Sequence, residues 1–322
     1  MMVNDGSGLL ERTRNSAYNT LDIFDVFALN IKSYIDLLKP ELTGLSVLTT
    51  LSAFVLASTS GVHFWPLFLT GIGTAMVGGG AGALNQYMER SFDAMMRRTQ
   101  RRPLPSGRIS PARARVFGVT MAGLGVFILT FLVRVETGLL ASLTLALYLL
   151  AYTPLKRKTW LNTVVGAIPG AIPVLVGWSA PSGKIAIGGW IFFALLFVWQ
   201  LPHFLSLAMM YRSDYQRAGF KMLPVLDDDR GTRSSGLILA STLLLTFIGV
   251  PAAFIGGGGT PALIASLLLG IVFTIVSVRL FTTARMGDDF SARRLHGDSR
   301  RVFFASLAYL PLLMATLVLA RV

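Results

Sequence analysis

The chain has 322 residues, of which 53% are hydrophobic and 14% charged, with a mean hydropathy of +0.63. A soluble domain carries about 25% charged residues, so lipid is the solvent for most of this chain and an ordinary water-soluble globule is excluded. Cysteine is absent, which removes disulfide frameworks, thiolate metal sites and thiol nucleophiles, and the formal charge of +13 reads first as membrane topology and not as nucleic-acid binding.

Residues 1–20 hold Asn4, Asp5, Glu11, Arg12 and Arg14 without a sustained apolar run, which predicts a retained arm and no cleaved signal. Over 21–39, Phe24, Phe27, Ala28, Ile31, Ile35 and Leu38 recur at helical spacing, with Asp22, Asp25, Lys32, Asp36 and Lys39 largely elsewhere on the wheel. This predicts an amphipathic helix lying in the membrane interface before Pro40. The chain thus divides into an arm, 1–40, and a membrane domain, 41–322. A bilayer core needs about 20 apolar residues per helix. Nine runs qualify, at 42–60, 64–84, 112–132, 137–153, 161–178, 187–209, 236–255, 261–283 and 302–320.

Apart from Arg134, Lys184 and Arg321, every Lys and Arg falls in the arm, in the loops after spans two, four, six and eight, or at their edges. By the positive-inside rule that face is cytoplasmic, with the N-terminus inside and the C-terminus opposite. The short polar N-terminus with its acids favours a bacterial plasma membrane over a mitochondrial inner membrane. No Asp, Glu or Lys occupies the middle of a span. A pump, channel or proton-coupled transporter would place charges there, so the chemistry belongs at the cytoplasmic interface. The Gly78-Gly-Gly-Ala-Gly82 run contains a nominal dinucleotide-binding pattern. Inside an apolar span with no preceding strand, it reads instead as small residues permitting close helix approach or a bent backbone.

The strongest constellation starts at the end of span two. Asn85, Glu89 and Asp93 are four apart, so each advances about 40° beyond a full turn and the three share one helical stripe. Oxygen ligands of this kind suit Mg²⁺, which takes one or two carboxylates and completes its shell with water and phosphate oxygens. Arg97, Arg98, Arg101 and Arg102 follow at once. Arginines would repel a bare cation but suit a metal–diphosphate, whose remaining oxygens they can take. The alternative is a solvated helix end with Glu89 paired to a nearby arginine. After span six an acid again follows a span directly: Tyr211-Arg-Ser-Asp214-Tyr215. That relation suggests two helical halves delivering acids to one cavity. Asp227, Asp228 and Asp229, further into the loop, are expected to be solvated.

Three stretches carry a wider likeness: Asn85-x3-Glu89-x3-Asp93 with Arg98-Thr99-x2-Arg102-Pro103-Leu104-x2-Gly107; Tyr152-Thr-Pro-Leu-Lys156-Arg157 with Asn162, Gly166-Ala-Ile-Pro-Gly170-Ala-Ile-Pro173 and Gly177-Trp178; and Trp199-Gln-Leu-Pro202-His203-Phe204 leading to Asp214-Tyr215-x2-Ala218-Gly219-x2-Met222-Leu223-Pro224. In these the chain resembles the UbiA superfamily of intramembrane prenyltransferases, and within it the heme-modifying branch. Three departures stand out: Glu89 where Asp is more usual, Ser91 where many relatives have a further acid, and Lys221 where Pro is frequent. Ala218 replaces the second Asp of other branches and is typical of the heme branch; an enzyme using an aromatic or quinone-precursor acceptor, the nearest rival, would carry an acid there.

The resemblance implies an all-α membrane protein with nine transmembrane helices in a UbiA-type bundle. It implies farnesyl transfer from farnesyl diphosphate to a vinyl group of heme B, with water addition giving the hydroxyethylfarnesyl side chain of heme O. Mg²⁺ is the implied cofactor, with heme B a substrate. Asn85, Glu89, Asp93 and Asp214 become metal–diphosphate ligands. Arg98, Arg102, Lys156 and Arg157 become diphosphate clamps, Lys156 with a catalytic part. Tyr152 and Tyr215 are substrate contacts, Tyr152 orienting the diphosphate or stabilising the allylic cation. His203 is a candidate for contact with heme, iron included, against the alternative of a helix-packing hydrogen bond. Handover to a heme A synthase or terminal oxidase assembly is the implied partnership.

Overall fold

The computed structural model describes residues 31–228, 230–286 and 291–321, and these are helical with no strand. Among them nine helices are long and apolar enough to cross a bilayer: α1 (Pro40–Ala57), α2 (Phe64–Asp93), α3 (Pro111–Val133), α4 (Val135–Leu155), α5 (Asn162–Ser179), α6 (Ile187–Met210), α7 (Thr232–Ile255), α8 (Gly259–Met286) and α9 (Ser291–Leu319). Each matches one of the nine apolar runs. Most of the expected interfacial helix lies outside the described residues. Its last part, 31–37, is helical, with Ile31 and Ile35 exposed and Leu37 buried against Ala83, Leu104, Ile109 and Ala114.

Two helices outrun their apolar stretches. α2 continues to Asp93, because the polar turns after position 84 are buried and paired at the end of the bundle. α9 begins at Ser291, well before the expected 302. There Asp298, 3% exposed, is bonded by Arg279 and Thr283 of α8 and by Arg301 of its own helix. Hydropathy alone ends a span where charge begins, whereas a helix ends where its backbone partners do.

α5 is the most enclosed helix, packed by α1, α4 and α6. Thr50 of α1 donates to the Pro173 carbonyl at 2.9 Å, and the Gln200 amide of α6 donates to the Ala167 carbonyl at 3.0 Å. These bonds hold a helix whose own ladder Pro169 and Pro173 interrupt. The glycine run of α2 permits a close crossing with α3: a Cβ on Gly80 would lie 2.5 Å from the backbone N of Ala122 and 2.8 Å from the carbonyl O of Gly118. α3, α4, α7 and α8 turn large side chains such as Phe131, Leu150, Phe247 and Ile275 outward, where hydrocarbon replaces water as their solvent.

Candidate active site

The polar turns of α2 form the floor of the site. Asn85, Glu89 and Asp93 are 1%, 5% and 1% exposed, stacked along one face as their spacing requires. Buried carboxylates persist only when paired, and here each polar group takes a partner from a different element. Lys39, just before α1, donates from Nζ to Asn85 Oδ1 at 2.8 Å. Asn85 Nδ2 donates to Thr153 Oγ1 at 3.2 Å. Lys156, after α4, reaches both oxygens of Glu89, at 2.8 and 3.0 Å. Arg102 reaches both oxygens of Asp93 at 2.9 Å.

The segment after α2 brings in the second acid. Thr99 donates to the Asp93 carbonyl at 2.8 Å, turning the chain so that the Arg98 N–H donates to Asp214 Oδ2 at 3.1 Å. The Arg98 guanidinium donates to the Tyr215 hydroxyl at 3.1 Å and lies 5.0 Å from the Tyr211 ring centroid. Asp214, 5% exposed, sits in the short helix Arg212–Arg217 and also pairs with Arg217. The segment after α2 therefore links its acids to the segment after α6: Thr99 and Arg102 hold Asp93 while the Arg98 N–H holds Asp214. Ala218 is 2% exposed and packed with Met96, Ala208, Phe220 and Met222, so an acid at that position would enter an apolar cluster.

The loop after α4 forms the third wall. Tyr152 ends a π-helical segment, Leu147–Tyr152, a local winding that recurs at functional sites. Its ring lies against α5 at Gly166, where a Cβ would come within 2.5 Å of it, and Lys156 Nζ stands 4.6 Å from its centroid. Asn162 donates to the carbonyls of Thr159 and Lys221, while the Lys221 N–H donates to the Lys156 carbonyl at 2.7 Å; these bonds tie this loop to the one carrying Asp214. Arg157 stands apart from the clamps expected beside it: its guanidinium lies over the Phe92 ring at 4.5 Å and pairs with no acid among the described residues.

His203, 5% exposed, is stacked on Trp199 and Phe303, with Nδ1 2.8 Å from Ser306 Oγ. That is the helix-packing arrangement, and no hydrogen bond or ion pair joins His203 to the acids among the described residues. Asp227 corrects an expectation. It is 7% exposed and not solvated, because its carboxylate accepts from the N–H groups of Asp228, Arg233 and Ser234 and from the Ser234 hydroxyl, capping the start of α7. Asp228 is exposed, and hydrogen bonds from Thr232 hold its carboxyl below the usual range; Asp229 lies outside the described residues.

Sequence reasoning missed Lys39, Thr153, Asn162 and Arg217 as members of the cluster. Lys39 is the only described non-glycine residue with a positive φ, at 48°, a left-handed conformation costing about 1–2 kcal/mol. Burial first, then the charges of Arg102 and Lys156, depress its amine to about 7 against the opposing pull of Glu89 and Asp93. A backbone that tolerates this conformation to hold an amine against Asn85 marks position 39 as part of the site. The sequence signal was the lysine directly before the proline that opens α1.

The sequence profile of the UbiA prenyltransferase family matches residues 46–308. The chain belongs to the UbiA prenyltransferase family. It is 38% identical over 301 residues to the protoheme IX farnesyltransferase of Solibacter usitatus, covering 90% of this chain and 99% of that one. It is 41% identical over 289 residues to the protoheme IX farnesyltransferase of Salinibacter ruber, covering 88% and 96%. The fold is similar to that of a digeranylgeranylglyceryl phosphate synthase, with TM-score 0.72 and 14% identity over 91% of this chain and 98% of that one. It is also similar to a UbiA homolog from Archaeoglobus fulgidus bound to DMAPP and Mg²⁺, with TM-score 0.65 and 14% identity over 86% and 99%. The UbiA-type chain is an integral membrane protein, and the nine-helix bundle expected from its sequence is the bundle observed.

Proposed function

We propose that this protein transfers farnesyl from farnesyl diphosphate to a vinyl group of heme B, giving the hydroxyethylfarnesyl porphyrin heme O. The observation that carries this reading is identity of 36–41% to protoheme IX farnesyltransferases, sustained in most of them over about 90% of the chain. The buried Ala218 agrees with it, since an acceptor needing a second acid there would find none.

The donor set fits Mg²⁺ with a diphosphate. Among the described residues no three carboxylate or imidazole side chains converge on one point, so a cage made of protein alone is not what the site offers. Mg²⁺ asks for one or two carboxylates and fills its shell with water and phosphate oxygens, which Asn85, Glu89, Asp93 and Asp214 can supply beside Arg98, Arg102 and Lys156. When bound, the ion neutralises charge on the departing diphosphate. The protein's own contribution is electrostatic. Lys156 and Arg102 now hold Glu89 and Asp93 and are placed to turn to phosphate oxygens as those acids engage the metal, while Arg98 keeps the two acidic segments in register. Tyr152 supports Lys156, whose Nζ lies 4.6 Å from its ring centroid.

The distribution of basic residues supports placing the end of the bundle that carries these groups on the cytoplasmic side, and the bacterial relatives support a bacterial plasma membrane. The product remains in the bilayer, which suits direct handover to a heme A synthase or terminal oxidase assembly. Incubating membranes that contain the protein with heme B, farnesyl diphosphate and Mg²⁺ should yield a porphyrin heavier by one farnesyl group and one hydroxyl. Prenylation of an aromatic acceptor with heme B left unmodified would overturn the assignment.

A further inference from the structure

The cations of the site divide into two groups. Lys156, Arg102 and Arg217 each hold a buried carboxylate. Arg157 and Lys158, adjacent and exposed, hold none among the described residues. Both line a cavity of ≈470 Å³ whose walls are Met88, Phe92, Pro154 and Phe220. Neither Asp93 nor Asp214 reaches this cavity; the one acid in its lining is Glu89, and both of its oxygens are taken by Lys156.

This chamber is apolar over four of its eight lining residues, with Thr153, Glu89 and the two adjacent cations making up the rest. It matches an amphiphile with a flat apolar body and two carboxylates on one edge. A guanidinium stacked on an aromatic face keeps its N–H fork at the ring's rim free for a carboxylate, and Lys158 supplies a second cation next to it. Glu89 in the wall sets this chamber directly beside the diphosphate site.

We propose that the cavity between α2 and the loop after α4 seats the propionate edge of the porphyrin acceptor, Arg157 and Lys158 each pairing with a propionate while Phe92 and Phe220, packed on each other with ring centroids 5.8 Å apart, form one apolar wall beside it. This rests on heme B being the acceptor, and it reassigns Arg157 from donor to acceptor binding. The vinyl-bearing edge lies across the ring from the propionates, and it must reach C1 of the farnesyl group, the carbon that leaves the diphosphate.

The test compares R157Q/K158Q with the wild type in steady-state turnover of heme B, of heme B dimethyl ester and of farnesyl diphosphate. Loss of two charge-assisted contacts should raise the KM for heme B by about tenfold or more and leave the KM for farnesyl diphosphate unchanged. The wild type should use the dimethyl ester as poorly as the double variant uses free heme B, and the double variant should not distinguish acid from ester. R157K/K158R, which keeps both charges, should recover most of the loss. A raised KM for farnesyl diphosphate, an unchanged KM for heme B, or equal use of acid and ester by the wild type would overturn the proposal. Should the wild type prenylate no porphyrin at all, the acceptor assignment itself fails. Titration of the heme B Soret band with wild type and R157Q/K158Q still reads the cavity, and equal affinities would refute it.

Discussion

Glu89 and Asp93 are carboxylates removed from water, and each is paired with one cation. Taking away a partner leaves an uncompensated buried charge, which costs about 3 kcal/mol or more. K156M should therefore lower the thermal unfolding midpoint in detergent, and adding E89Q should restore much of it; a K156M protein as stable as the wild type would contradict the pairing. His203 is locked between Trp199, Phe303 and Ser306. In the heme-loaded protein, H203A should leave the Soret maximum in place while reducing stability, whereas a displaced Soret band would make His203 an iron ligand. Single residues were legible where local spacing reports on shared geometry: Asn85, Glu89 and Asp93 lie one turn apart and so must share a stripe. Lys39 was not legible as their partner, because its contact spans 46 residues and no local pattern links the two positions.

Among the elements, α4 and α5 show how backbone form sets chemistry. The π-helical close of α4 delivers Tyr152 to the surface of α5, and only a residue without Cβ at position 166 leaves room for the ring. G166A should shift Tyr152 and with it Lys156, lowering kcat/KM for farnesyl diphosphate on the order of ten- to a hundredfold with insertion into the membrane intact; wild-type kinetics would show that the ring does not position the lysine. The nine spans were readable because a bilayer demands an apolar run of fixed length. The polar extensions of α2 and α9 were not, since hydropathy is blind to helices stabilised by buried ion pairs such as that of Asp298 with Arg279. The glycine run of α2 was read as permitting close helix approach or a bent backbone, and the structure shows the first at Gly80, against the α3 backbone at Gly118 and Ala122.

At the scale of the whole molecule, segments far apart in sequence meet at one end of the bundle: the residue before α1, the end of α2, the loop after α4 and the segment after α6. The sequence showed two acidic segments on one membrane face, and the structure joins them through the stretch 98–102, where Arg98 holds Asp214 and Thr99 and Arg102 hold Asp93. How the cations would be shared out could not be read, because that depends on which loops touch. In the proposed function, Asp93 and Asp214 grip a single metal–diphosphate. Calorimetric titration of the full-length protein with a non-cleavable farnesyl thiolodiphosphate and Mg²⁺ tests it most directly, using D93N, D214N and the double variant. Each single change should weaken binding about tenfold or more, and the double change should cost much less than the sum, because both residues serve one ligand. Wild-type affinity in D214N, or strictly additive losses, would contradict the account.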